Sequence, residues 1–207
     1  MLRARRTRHR GRRLSRPEID LHDEDTIARA ASETGEGGPV DLVFVASGIL
    51  APAGRGPEKA LRDIDAAAMA EVMAVNAIGP LLVAKHFVPL MPRKGRSAFA
   101  ALGARVGSIG DNRLGGWYGY RASKAALTMG IRTLAIEVAR TRPDAICVAL
   151  HPGTVATRLS AGFRSSVPER GLFAPNESAL HLLDTLDRLG PQDSGSHIAW
   201  DGRAIPA

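Results

Sequence analysis

A tyrosine and a lysine four residues apart, Tyr120 and Lys124, stand in the stretch Gly-Gly-Trp-Tyr-Gly-Tyr-Arg-Ala-Ser-Lys-Ala-Ala-Leu at 115–127. On a helix this spacing puts the phenol and the ammonium on one face, about one turn apart. A nearby cation favours phenolate, so a group with an ordinary pKa of about 10 is drawn toward working pH and can trade a proton with a substrate oxygen. Tyr118 lacks such a partner, because Ala122 lies four residues beyond it. Taken alone, the spacing is better read as an ordinary helical pair. A second candidate is Asn76, four residues before Pro80. Proline has no N–H to give the carbonyl four residues back, so the Asn76 carbonyl is freed at a kink. That carbonyl either holds a water in a proton relay or simply marks a tolerated bend.

These residues need elements to position them. After Tyr120 the residues Ala122, Lys124, Ala125, Ala126 and Leu127 favour helix, and Leu134, Ala135 and Val138 continue a helical spacing. Asp65 to Leu90 reads as one long, largely apolar helix. Val40 to Ala46, Arg96 to Leu102 and Ala145 to Leu150 are short apolar runs that end in turn residues, the pattern of buried strands. Ser47-Gly48 follows the first run, and Gly103-Ala104-Arg105-Val106-Gly107-Ser108 the second. His151-Pro152-Gly153-Thr154-Val155-Ala156-Thr157 follows the third. In open α/β sheets ligands bind beyond the carboxyl ends of the strands, which is where these turns fall. Glu177 to Leu189 reads as an amphipathic helix with Asn176 as its N-cap, and Ile198-Ala199-Trp200 as a closing strand.

In this order the pieces resemble the short-chain dehydrogenase/reductase family over about Asp20 to the C-terminus. The resemblance rests on Asn76, Tyr120-x-x-x-Lys124 and Pro152-Gly153-x-x-x-Thr157. Arg105-Val106-Gly107-Ser108-Ile109, Asp111-Asn112, Gly115-Gly116-Trp117-Tyr118, Asp193-Ser194-Gly195 and Trp200-Asp201-Gly202 make it most similar to the C-factor-like branch. The resemblance implies an α/β fold with a Rossmann-like, doubly wound parallel sheet, NAD or NADP as cofactor, and hydride transfer to or from a small carbonyl or alcohol. It implies Tyr120 as acid/base, Lys124 as the cation that lowers its pKa and bonds the nicotinamide ribose, and Asn76 as holder of the relay water. Asp20 and Leu21 would lie at the adenine and Ala46, Ser47 and Gly48 at its ribose. Pro152, Gly153, Thr154, Val155 and Thr157 would flank the nicotinamide. A homo-oligomer is implied as well. Within Arg158 to Ala174, Leu159, Phe163 and Phe173 would touch substrate.

The chain also departs from the family pattern. The Ser-Ser-x-x-Gly turn that carries the catalytic serine reads Gly103-Ala104-Arg105-Val106-Gly107, without a hydroxyl. Ser108, twelve residues before Tyr120, is the nearest replacement, against its reading as an ordinary loop serine. The Asn-Asn-Ala-Gly segment reads Val45-Ala46-Ser47-Gly48. No strand followed by Gly-x-x-x-Gly-x-Gly precedes Asp20, so the domain reads as N-terminally truncated, a misassigned start being the favoured explanation. Gly35, Gly37 and Gly38 follow a helix and read as a loop. The expectations that follow are an open edge at Val40–Ala46, poor solubility and weak NAD(P) binding. A non-catalytic scaffold with an interaction or signalling role is the rival reading.

The first sixteen residues hold eight arginines and no acid, while the whole chain nets +7, so residues 17–207 sum to −1. The division is therefore a disordered arginine-rich tail, 1–16, and a single domain, 17–207. No aromatic residue interleaves with the arginines, which disfavours nucleic-acid binding. At 207 residues and 44% hydrophobic content one core is the natural count. Lys85 and His86 break the longest apolar stretch, which argues against a membrane span. The one cysteine, Cys147, leaves no internal disulfide, as suits the cytoplasm, and belongs to the core. The histidines show no metal-ligand spacing.

Overall fold

The third apolar run organises the molecule. In this computed structural model, which describes residues 11–163 and 171–207, Ala145–His151 is a strand, β3, buried from Ala145 through Leu150. It lies between Ser97–Leu102 (β2) and His197–Ala199 (β6), and β2 pairs in turn with Leu42–Val45 (β1). All three pairings are parallel, with Phe99 opposite Cys147, Val43 opposite Phe99 and Ala149 opposite His197. A strand buried on both faces reads as a continuous apolar run, as β3 does.

The twofold alternation of the strands divides their side chains between two cores. Val43, Val45, Phe99, Ala101, Cys147 and Ala149 face Glu24–Gly35 (α1), Gly79–Phe87 (α3) and Tyr118–Ala139 (α4). Ala98, Ala100, Ile146, Val148 and Leu150 face Leu182 and Leu186 of Pro175–Arg188 (α5). Helices on both faces of a parallel sheet make the expected doubly wound, Rossmann-like α/β fold. β1 has β2 as its one partner, so it forms an edge among the described residues.

Of the arginine-rich stretch, residues 1–10 lie outside the described residues. Further on, Leu14 packs against the first core and Arg12 bonds Glu33 at 2.9 Å.

The long helix around Asn76 is continuous but not uniform. Ala66–Met73 (α2), capped by Asp65 Oδ1 on the Ala68 amide at 2.8 Å, runs into a π turn at Ala74–Ile78 and then into α3. The Gly79 N–H reaches back five residues to the Ala74 carbonyl. With no donor at Pro80, widening the helix by one residue accommodates the ring, so the expected kink takes the form of a π turn. Such turns occur often at functional sites. Ala66–Leu90, 25 residues, is long and apolar enough to cross a membrane by length and composition, more than the sequence suggested. Val72, Val75, Val83 and Phe87 are nonetheless buried in the fold.

Two boundaries differ from expectation. The closing strand is His197–Ala199, one residue earlier. Helix α5 starts at Pro175, so Ala174 is the N-cap and Asn176 lies inside the first turn. Proline fits the first helical position, where its missing N–H costs nothing. The cap comes from Glu177, whose carboxylate accepts the Ala174 N–H at 3.2 Å.

Candidate active site

Tyr120 is the third residue of α4 and Lys124 follows one turn later, both buried. The ammonium lies 5.9 Å from the phenol ring centroid and donates to the Leu102 carbonyl, at the end of β2, at 2.7 Å. The turn after β2 comes this close to α4 because Gly107 has no side chain. A Cβ there would stand 2.7 Å from that of Lys124. Burial pushes the phenol up to about 12 and the ammonium down to about 8. This corrects the expectation that Lys124 brings the phenol toward working pH. Desolvation disfavours both charged forms, and the ammonium bonds a carbonyl instead of the phenol oxygen. Burial therefore favours Tyr120 as a neutral phenol.

Asn76 is fully buried, and every polar atom of its side chain is engaged. Oδ1 accepts from the Ile49 amide at 2.8 Å, and Nδ2 donates to the Ile49 carbonyl at 2.8 Å and to Ser123 Oγ at 3.0 Å. Ser123 Oγ in turn donates to the Tyr120 carbonyl at 2.8 Å. The π turn, the segment after β1 and the start of α4 are thus tied together by two side chains. Gly48 completes the group, since a Cβ there would lie 3.3 Å from Asn76 Oδ1 and 3.4 Å from Lys124 Nζ. Ala46 and Ser47 are exposed just past β1. Ser123 was not singled out in the sequence, although it shares a helical face with Tyr120 and Lys124.

Ser108 is buried, and its Oγ accepts the Asp111 amide at 3.1 Å, closing its own turn. The residue packed beside Tyr120 is Ala104, in an apolar cluster with Val72. Asp20 is held locally: its carboxylate pairs with Arg16 at 3.2 Å and accepts the His22 amide at 3.0 Å, and its backbone bonds Thr26. Leu21 packs on α3 at Gly79, where a Cβ would lie 2.8 Å away.

Gly153 takes a left-handed φ of 74°, and a Cβ on it would meet Phe173 at 2.6 Å. The Pro152 carbonyl accepts Ser178 Oγ of α5 at 2.8 Å. Thr154–Val155 (β4) pairs with Leu172–Phe173 (β5), and Ser160 Oγ accepts the Thr157 amide at 3.2 Å. The aromatic residues expected at the substrate separate. Phe163 lies tilted against Trp117 at 5.1 Å, whereas Phe173 packs away from it against Trp200 at 4.6 Å and His181 at 5.3 Å.

His197 is buried and was likewise not foreseen, and His151, half-buried, is the last residue of β3 rather than a loop residue. His151 Nδ1 and His197 Nε2 have no hydrogen-bond partner among the described residues, and a Cβ on Gly103 would lie 2.9 Å from His197 Nε2. Burial, then the charge of His197 and Arg105, pushes His151 down to about 4. His197 goes down to about 4 through burial and then the charges of Arg105 and Lys124. Cys147 is a buried thiol pushed up to about 12, a core residue as expected.

For a dinucleotide the two halves of the site differ. Past the ends of β1 and β2, Gly48 approaches Asn76 and Lys124 closely, and the Gly153 turn follows β3. For the pyrophosphate, no glycine-rich turn from a strand into a helix precedes β1 among the described residues. The first turn of α1 offers Glu24 and Asp25 instead, with Asp23 as cap, which repel an anion.

Residues 4–181 match the family model described as "Enoyl-(Acyl carrier protein) reductase". The chain is 35% identical over 170 residues to C-signal of Myxococcus xanthus, covering 82% of this chain and 93% of that protein. It is 30% identical over 188 residues to the 1-hydroxy-2-glutathionyl-2-methyl-3-butene dehydrogenase of Rhodococcus sp., covering 90% of this chain and 77% of the relative. Among solved structures it is similar to the NADPH-bound carbonyl reductase from chicken fatty liver, at a TM-score of 0.78 and 28% identity over 91% of this chain and 75% of that one. The carbonyl reductase Sniffer of D. melanogaster gives a TM-score of 0.78 at 26% identity, over 91% of this chain and 76% of that one.

Proposed function

Since this chain belongs to the short-chain dehydrogenase/reductase family, a family of oxidoreductases, we propose that it reduces a small carbonyl compound, or oxidises the corresponding alcohol, with NADH or NADPH. The observation that carries this reading is the buried Tyr120–Lys124 pair beside Gly48 and Asn76, at the carboxyl ends of the strands. The NADPH-bound relative supports the choice of cofactor. When bound, the nicotinamide supplies or accepts the hydride. Tyr120 delivers its phenolic proton to the substrate oxygen, and the neutral phenol favoured by burial suits the reductive direction. One of the three Lys124 donors is fixed on Leu102, which leaves the others for the ribose hydroxyls. Because the Asn76 carboxamide is fully engaged, its backbone carbonyl at the π turn is the group that holds the relay water. The cofactor contacts of Ala46, Ser47, Pro152, Gly153, Thr154, Val155 and Thr157 belong to this reading. Those of Asp20 and Leu21, and a cytoplasmic homo-oligomer, belong to it too.

A second reading, a scaffold that works through interaction without turnover, is favoured by Ala104, whose methyl packs beside Tyr120 where the family pattern has a hydroxyl. Tyr120→Phe separates the two. On the first reading it lowers NADH- or NADPH-dependent reduction by at least about a hundredfold while the fold persists. Unchanged turnover in that variant would withdraw the catalytic assignment.

A further inference from the structure

Helix α4 carries Tyr120 in its first turn, yet no neighbouring side chain caps that turn. The first N–H groups of a helix need acceptors, and a short polar side chain at the N-cap ordinarily supplies one. Here the N-cap is Trp117, whose side chain has no oxygen to offer, and the first turn holds no acid. Trp117 also sits in the left-handed region at φ 54°, ψ 44°, which a bulky residue keeps only where its surroundings enforce it. The missing acceptors come from the half-buried Glu58, 61 residues before Gly119. Its backbone carbonyl accepts the Trp117 N–H, and its carboxylate accepts the Gly119 N–H at 3.2 Å. Glu58 is held in turn by Asp63, whose carboxylate accepts the Lys59 and Ala60 amides at 3.1 and 2.9 Å. Gly119 leaves the room for this contact, since a Cβ there would stand 2.8 Å from Glu58 Oε1. Tyr120 is therefore fixed from two sides, by Glu58 on the preceding amide and by Ser123 on its own carbonyl at 2.8 Å. Its ring stands edge-on to the Trp117 indole, 6.2 Å away at 71°.

We propose that Glu58 is a positioning residue for the reaction, its carboxylate capping α4 from a distance and so setting the direction in which Tyr120 presents its phenol. This rests on the acid/base reading of Tyr120 above. A carboxylate suits the place, because the N-terminus of a helix favours negative charge. A proton donor must lie within hydrogen-bond reach of the oxygen it serves, and a displacement of about 1 Å can slow a reaction about a hundredfold. A cap that only stabilised the helix would change unfolding and leave turnover alone. Gly119→Ala separates these roles. Alanine favours helix over glycine, so a purely structural role predicts a sturdier helix and unchanged turnover. On the positioning role the added methyl pushes the carboxylate off the Gly119 N–H, and turnover falls.

The test uses the full chain with NADPH and butane-2,3-dione as the probe carbonyl. Glu58→Ala is expected to lower kcat about tenfold while the KM for the dione changes less than about twofold. Gly119→Ala should lower kcat to a similar degree, and the double variant should fall no further than either single one. Glu58→Gln, whose amide oxygen can still accept the Gly119 N–H, should keep most of the rate. NMR with ring-labelled tyrosine reads the geometry without turnover. The chain has two tyrosines, Tyr118 and Tyr120, and Tyr118→Phe assigns their signals. The cross-peak between the Tyr120 ring and the Trp117 indole should persist in Glu58→Gln and weaken in Glu58→Ala and Gly119→Ala. An intact cross-peak in both of those variants, an unchanged kcat in both, or a Glu58→Gln as slow as Glu58→Ala overturns the proposal. If the unaltered chain never oxidises NADPH or NADH with the dione, that result counts against the hydride-transfer reading instead. The cross-peaks then still decide whether Glu58 orients Tyr120.

Discussion

Asn76 and Ser123, 47 residues apart in the chain, meet side chain to side chain at 3.0 Å inside the fold. Through this contact the π turn fixes the first turn of α4, because Ser123 also holds the Tyr120 carbonyl at 2.8 Å. Ser123→Ala would leave a buried Asn76 N–H without a partner, at a cost of roughly 1–3 kcal/mol. Asn76→Ala should cost more, since it also releases both backbone groups of Ile49. Denaturant unfolding of the two single variants and the double variant checks this. A near-neutral Ser123→Ala, or strictly additive effects, would mean that the contact does not couple the two segments.

His151 and His197 are expected to make the fold acid-sensitive. His151 and His197 are each lowered from an ordinary 6.5 to about 4 in the folded state. As pH falls below 6.5 the unfolded chain takes up protons that the folded chain refuses. Stability is therefore full above that value, declines between about 6.5 and about 4, and levels off for these groups below. Urea midpoints across this range should show the slope, and His197→Phe should flatten it. An unchanged slope in that variant would assign the acid sensitivity to other groups.

β1 leaves its outer backbone edge without a strand among the described residues, with Leu42 at its start 41% exposed. Unpaired edges template association, and a charge on the edge opposes it. Leu42→Lys is expected to reduce concentration-dependent association measured by light scattering. If the variant associates as fast as the unaltered chain, the contact lies elsewhere.

What the sequence disclosed, and what it hid, follows from the range of the interactions. β3 was legible because a strand buried on both faces must be apolar throughout, the closeness of Tyr120 and Lys124 because a spacing of four sets it on a helix, and the irregularity at Asn76 because Pro80 follows it. Ser123 was not, because its role exists only once α4 meets a π turn folded from a distant segment. The left-handed backbone of Trp117, φ 54°, was hidden for the same reason, since its N–H is accepted by the carbonyl of Glu58, far away in sequence. Phe163 and Phe173 looked equivalent along the chain, and the pairing of β4 with β5 sends Phe173 to Trp200 instead. The depth of Lys124 and Tyr120 set the pKa directions, and their spacing alone pointed the other way for the phenol.

The serine question reduces to two substitutions. Ser108 Oγ holds the Asp111 amide, so Ser108→Ala should loosen that turn by about 1 kcal/mol and change turnover only a few-fold. Ala104 packs beside Tyr120, so Ala104→Ser places a hydroxyl where the substrate oxygen would be held. A preorganised donor at such a position is worth roughly 2.7–4 kcal/mol of transition-state stabilisation. On the catalytic reading, steady-state rates with NADPH and a small carbonyl substrate should therefore rise about a hundredfold in Ala104→Ser, mostly in kcat. A rise of that size would show that Tyr120, Lys124 and Asn76 are already in working order. A flat response in Ala104→Ser, together with a hundredfold loss in Ser108→Ala, would transfer the role to Ser108.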